Sequence, residues 1–158
     1  MRKVDGGRLY SASDLSRFLE CRHCTWLDLE DLEHPQERAA PDEQTLLLRE
    51  KGLEHERAYL DSLRSRGLAL VEIRSDRPLA DRVDQTCAAI AAGADLIYQA
   101  ALREGSWHGF ADFLRRTGQS PNQYECVDAK LGRIPAPRHL LQLSVYSDLL
   151  GELQGAVP

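Results

Sequence analysis

Three charged residues in the second half of the chain have the types and spacing for joint chemistry. Asp112 lies in Gly109–Phe110–Ala111–Asp112–Phe113–Leu114, and sixteen positions later come Val127–Asp128–Ala129–Lys130. In an extended strand, residues two apart project from the same face. A strand through Tyr124–Leu131 therefore puts Asp128 and Lys130 on one face, with Val127, Ala129 and Leu131 on the other. Asp112, between Phe110 and Leu114 at period two, is expected on a neighbouring strand. All three groups then converge within a few ångströms of one spot of the sheet. Two carboxylates can hold Mg2+ or Mn2+ while the ion keeps several waters. The ion polarises a phosphate oxygen and acidifies a bound water, and a nearby lysine orients that water or offsets developing negative charge. That is the chemistry of phosphodiester hydrolysis. The alternative is a solvated strand face with an ion pair worth at most ~1 kcal/mol. Since a short D-x-K occurs often by chance, the assignment needs companions elsewhere in the chain.

The companions are present. Gln142–Leu143–Ser144–Val145–Tyr146 places Gln142 and Tyr146 four apart, hence on one face of a helix. Upstream, Gly52–Leu53–Glu54–His55–Glu56 lies in a long helical stretch. Asp112, Asp128–Ala129–Lys130 and Gln142–Tyr146, in that order, resemble the PD-(D/E)XK nuclease superfamily, specifically its RecB-like branch. The resemblance implies an α/β (α+β) fold with a restriction-endonuclease-like core, a central mixed sheet flanked by helices. It also implies a Mg2+- or Mn2+-dependent deoxyribonuclease in DNA repair, recombination or defence. Asp112, Asp128 and Lys130 are then catalytic. Glu56, Asp112 and Asp128 are metal ligands, with His55 the alternative to Glu56, and Gln142 and Tyr146 position DNA.

Ser11–Ala12–Ser13–Asp14–Leu15, Phe18–Leu19–Glu20–Cys21 and Thr25–Trp26–Leu27–Asp28–Leu29 are also similar to RecB-like nucleases. In longer members of that family the nuclease domain precedes an RNase H-like region and a helicase-type ATPase. The implied partners are DNA and a helicase domain in the same or a partner chain. Residues 1–158 are expected to form a single nuclease domain truncated at its C-terminus, cleaving DNA poorly by itself. In such proteins a cysteine near Cys21 and three more after the Gln–Tyr helix hold a 4Fe–4S cluster. No cysteine follows Cys126, so a cluster is expected only where further cysteines lie downstream in a longer protein. Two other functions stand beside this one: a catalytically idle RecB-like module that binds DNA or a helicase, and a helical adaptor stabilised by zinc at Cys21 and Cys24.

Composition sets the bounds. A chain of 158 residues with 42% hydrophobic and 28% charged residues suits one folded domain. No apolar run approaches the roughly 20 residues needed to span a bilayer, and no apolar segment follows the charged N-terminus, so a cytoplasmic protein without membrane contact is expected. There the four cysteines are expected as thiols, with Cys21 free of any disulfide. The net charge of −5 excludes bulk attraction to nucleic acid. Metal-binding carboxylates contribute to that total, and a bound cation inverts their local sign.

The elements that must position these residues are legible from periodicity and punctuation. Ser11 or Ser13 caps a helix towards Cys21, which continues or restarts through Trp26, Leu27 and Leu29. Residues 34–41 read as a loop, after which Asp42 caps a helix on which Leu46, Leu47, Leu53, Tyr59, Leu60 and Leu63 form an apolar stripe, stopped by Gly67. A strand over Leu68–Ile73 and a helix over Leu79–Ala92 follow. Leu96–Leu102 and Trp107–Arg116 form a hairpin about Glu104–Ser106, and a turn over residues 117–122 leads to a strand over Tyr124–Leu131. Past a break at Pro135 and Pro137 comes a helix over His139–Leu150, then a short tail over 151–158.

Overall fold

A mixed four-stranded sheet is the frame on which every candidate residue is placed. The computed structural model describes residues 1–4, 6–37, 39–118, 122–132, 134–156 and 158. A small hairpin of β1 (Arg2–Val4) and β2 (Gly7–Leu9) leads into α1 (Ala12–Glu20), α2 (Arg22–Glu33) and α3 (Glu43–Arg64). Then come β3 (Leu70–Glu72), α4 (Leu79–Ala91), β4 (Leu96–Glu104), β5 (Trp107–Arg116), β6 (Tyr124–Val127) and α5 (Pro137–Gln154). The main sheet has the order β3-β4-β5-β6. β3 runs parallel to β4 through the α4 crossover, and the other pairs are antiparallel. This is a mixed α/β fold with a sheet flanked by helices.

Two apolar clusters fix the helices to opposite faces of the sheet. Ile97 and Leu114 join Ala89 and Ile90 of α4 and Tyr146, Leu149 and Leu150 of α5. Their strand neighbours Leu96 and Phe113 join Leu60 and Leu63 of α3 instead. Adjacent residues of one strand point to opposite faces, so α3 covers one side and the α4/α5 layer the other. The Tyr59 ring meets Phe113 edge-on, with centroids 5.2 Å apart.

The helix caps follow from the residue types. Asp42 Oδ1 accepts the Thr45 N–H at 2.7 Å and starts α3. Asp14 accepts the Ser11 N–H at 2.8 Å and starts α1. Pro137 opens α5, where its missing N–H costs nothing, so the expected proline break is the start of the helix. α5 then runs on through Gln154, into residues expected as tail, and Gly155 ends it at φ 71°.

Other expectations need correction. The β1–β2 hairpin has no counterpart in the periodicity, because Arg2–Lys3–Val4 and Gly7–Arg8–Leu9 are too short and polar to show a pattern. β3 keeps only the three residues that pair with β4. The leucine stripe of α3 is buried only at Leu60 and Leu63, while Leu46, Leu47, Leu48 and Leu53 are more than half exposed. The apolar contact of α3 with the sheet is made by Tyr59, Leu60 and Leu63, in its last turns. The turn expected over 117–122 lies outside the described residues at 119–121, as does residue 38 of the expected 34–41 loop and residue 157 of the tail. Among the described residues no helix is long and apolar enough to cross a membrane.

Candidate active site

β6 ends at Val127, not at Leu131, so Asp128 and Lys130 leave the sheet just after its last paired residue. The local cause is Asp112. The β5–β6 register stops at Phe113↔Val127, which makes Asp112 and Asp128 the next residues along the two segments. There Asp112 Oδ2 accepts the Ala129 N–H at 2.9 Å, and a side chain replaces the ladder. The sidedness expected of a strand survives this change, since Val127 and Ala129 still pack against the α3 cluster.

Asp112, Asp128 and Lys130 meet at this strand end. The Asp128 side chain is only 3% exposed, and Lys130 Nζ lies 2.7 Å from its Oδ2. Burial, then the adjacent Asp128 carboxylate, push the Asp112 carboxyl up to about 7, with a smaller push from Glu56 and an opposing pull from the Ala129 N–H. Two acids are thus held together out of water, an arrangement unfavourable to charge unless a cation joins them. From α5, Gln142 Nε2 lies 3.5 Å from Asp128 Oδ1 and donates to Tyr146 Oη at 3.2 Å. Gln142 and Tyr146 therefore share one helix face directed at the acids, and burial raises the Tyr146 phenol.

Glu56 reaches the site from α3, on the opposite side of the cleft. It is half-buried, whereas His55 on the same turn is exposed, so Glu56 is the helix residue turned inward. Glu56 Oε1 accepts a hydrogen bond from Gln99 Nε2 at 2.5 Å. The Tyr98 hydroxyl is pushed up to about 12 by burial and by the same Glu56 carboxylate. A cleft of about 700 Å³ opens between Glu56, Asp112 and Lys130, with Arg49, Arg138 and His139 on its rim. Its cationic rim contrasts with the acidic net charge of the chain.

Among the described residues no three His, Cys, Asp or Glu side chains lie close enough to form a ready metal cluster. The donor set is a pair of carboxylates with a third across the cleft. Mg2+ takes one or two protein carboxylates and keeps its waters, so these residues fit such an ion.

Two contributing residues carry no signal in a motif. Gln99 adopts φ 57°, alone among the described non-glycine residues in being left-handed. It sits opposite Asp112 at the gap in the β4–β5 register, between Tyr98↔Phe113 and Ala100↔Ala111. Ile97 and Ala100, three apart, belong to one cluster, as do Leu114 and Ala111, so strict alternation is broken at this pair of positions. The available hint was an amide within the apolar run Leu96–Leu102. Gly109 is the other: a Cβ there would stand 2.6 Å from Tyr146 Cδ1, so only glycine lets the Tyr146 ring lie against β5.

Cys21 stands elsewhere. It ends α1 and caps α2, its Sγ accepting the Cys24 N–H at 3.4 Å, which lowers the thiol from its ordinary range. It is exposed, and all four cysteines are free. It lies at the junction of α1 and α2, and Leu19 and Glu20 just before it line a groove with Pro137, Leu140 and Ser144 at the start of α5. Comparison with family models, curated proteins and solved structures returned no match to this chain.

Proposed function

We propose that the chain is a metal-dependent nuclease domain that hydrolyses DNA phosphodiester bonds, a RecB-like PD-(D/E)XK domain with a restriction-endonuclease-like core. The observation that carries this reading is the meeting of Asp112, Asp128 and Lys130 where β5 and β6 part. Asp112 and Asp128 would hold Mg2+ or Mn2+, with Glu56 facing them across the cleft. When bound, the ion supplies charge to polarise a phosphoryl oxygen and to acidify an attacking water. The Lys130 ammonium, 2.7 Å from Asp128 Oδ2, would offer positive charge to the developing phosphorane oxygens. Gln142 and Tyr146 present hydrogen-bonding groups beside the acids, suited to orienting a phosphate, and Arg49 and Arg138 on the cleft rim suit the flanking backbone. The exposed, free Cys21 would ligate a 4Fe–4S cluster only with cysteines beyond those of this chain.

The test is cleavage of single- and double-stranded DNA, with RNA in parallel, in Mg2+ or Mn2+. Low salt is used because phosphate contacts then contribute most. Wild type should cleave DNA, and Asp128→Ala should cut about 100-fold more slowly or not at all. Equal rates from both proteins, or no metal-dependent cleavage by wild type, reject the reading.

A further inference from the structure

We propose that Gln99 is a positioning residue of this site, holding the Glu56 carboxylate towards the Asp112–Asp128 pair. The inference deepens the nuclease reading and rests on it for the identity of the ion. Three independent observations carry it. First, Gln99 has a φ of 57°, a conformation that L side chains rarely adopt and that persists only where the surroundings impose it. Second, it stands opposite Asp112 at the gap in the β4–β5 register, so the irregularity falls beside the acidic pair. Third, its amide donates to Glu56 Oε1 at 2.5 Å. Behind it, the buried Arg82 of α4 brings Nη2 within 3.4 Å of the Gln99 carbonyl and stacks its guanidinium on Phe110, so the backbone is gripped as well.

The residue type matters. A lysine at this position would neutralise Glu56, and a glutamate would repel it. An amide restrains the carboxylate while leaving its full charge to a cation, as outer-shell partners of metal ligands do. Regular β geometry at Gln99 would follow the strand's alternation, whereas the left-handed turn lets the side chain reach α3.

The test is a double-mutant cycle of Gln99→Ala and Glu56→Ala in the whole chain, read by urea unfolding of the metal-free protein and by calorimetric titration with Mn2+ alone. Gln99→Gly, which tolerates φ 57° without strain, is the control that removes the amide while relieving the backbone. Gln99→Ala and Gln99→Gly should each weaken Mn2+ binding by about 10–100-fold with Glu56 present, and by less than about twofold in the E56A background. The unfolding constants should show a coupling of about tenfold between the two positions. Mn2+ losses independent of Glu56, or additive unfolding effects, overturn the inference while leaving the nuclease reading intact. Should wild type take up no Mn2+, the nuclease reading fails, and the unfolding cycle alone decides: coupling retains the Gln99–Glu56 link and additivity rejects it.

Discussion

The Tyr146 ring occupies the space a side chain at Gly109 would need, with Cδ1 2.6 Å from the position of a Cβ. Tyr146 is buried and its hydroxyl accepts from Gln142, so the ring has little freedom to retreat. Gly109→Ala should cost about 1–3 kcal/mol through overpacking. In a Tyr146→Leu background the same substitution should cost at least ~1 kcal/mol less, because neighbouring sites do not add. Urea unfolding of the four proteins measures this, and additive losses would show that the contact does not constrain the strand.

The two ends of α3 should respond differently to truncation. Leu60 and Leu63 are buried against Phe113 and Leu96, so Leu60→Ala should destabilise by about 2–5 kcal/mol. Leu47 is 54% exposed, and Leu47→Ala should change stability by no more than about 0.5 kcal/mol. Comparable losses from both, measured by denaturant unfolding, would place the N-terminal leucines in a core after all.

The same helix shows what periodicity conveys. Leu46, Leu47, Leu53, Tyr59, Leu60 and Leu63 repeat as a helix requires, and the helix is there. Periodicity reports a face that can be buried, however, and not whether a partner surface reaches it. The hairpin of β4 and β5 was legible because its apolar run and its turn at Gly105, with φ 52°, agree. For Asp128–Lys130 alternation gave the right company and the wrong element, since the Asp112 side chain takes the Ala129 N–H that a strand partner would have used. Gln99 was not legible, because its role depends on a backbone angle and on Glu56 from a distant helix. Cap and register signals are local in sequence, and such a cross-helix contact is not.

Asp112 makes the stability of the metal-free protein pH-dependent. Its carboxyl is raised from 3.8 to about 7, so the folded state binds the proton more tightly than the unfolded chain. That contribution is fully present below about pH 4, declines as pH rises towards 7, and is lost above it. With chelator present, wild type should therefore lose stability between pH 4 and 7, relative to Asp112→Asn, which cannot ionise there. Each tenfold tightening of proton binding on folding contributes about 1.4 kcal/mol to this loss. Parallel pH profiles for the two proteins would show that Asp112 ionises as freely in the fold as outside it.

Mn2+ should reverse this penalty, because a cation joining Asp112 and Asp128 binds the folded state and not the unfolded one. Stabilisation follows RT ln(1 + [L]/Kd), about 2.7 kcal/mol at a hundredfold excess over Kd. Wild type should melt at higher temperature with Mn2+ than with chelator, and Asp112→Ala should lose most of that increase. Lys130→Ala separates binding from chemistry. Lys130 pairs with Asp128 without being a metal donor, so its removal should leave the Mn2+ increase intact while lowering DNA cleavage. Equal increases in wild type and Asp112→Ala would show that Asp112 holds no metal. Loss of the increase in Lys130→Ala would show that the lysine maintains the geometry of Asp128 and not the charge at the phosphate.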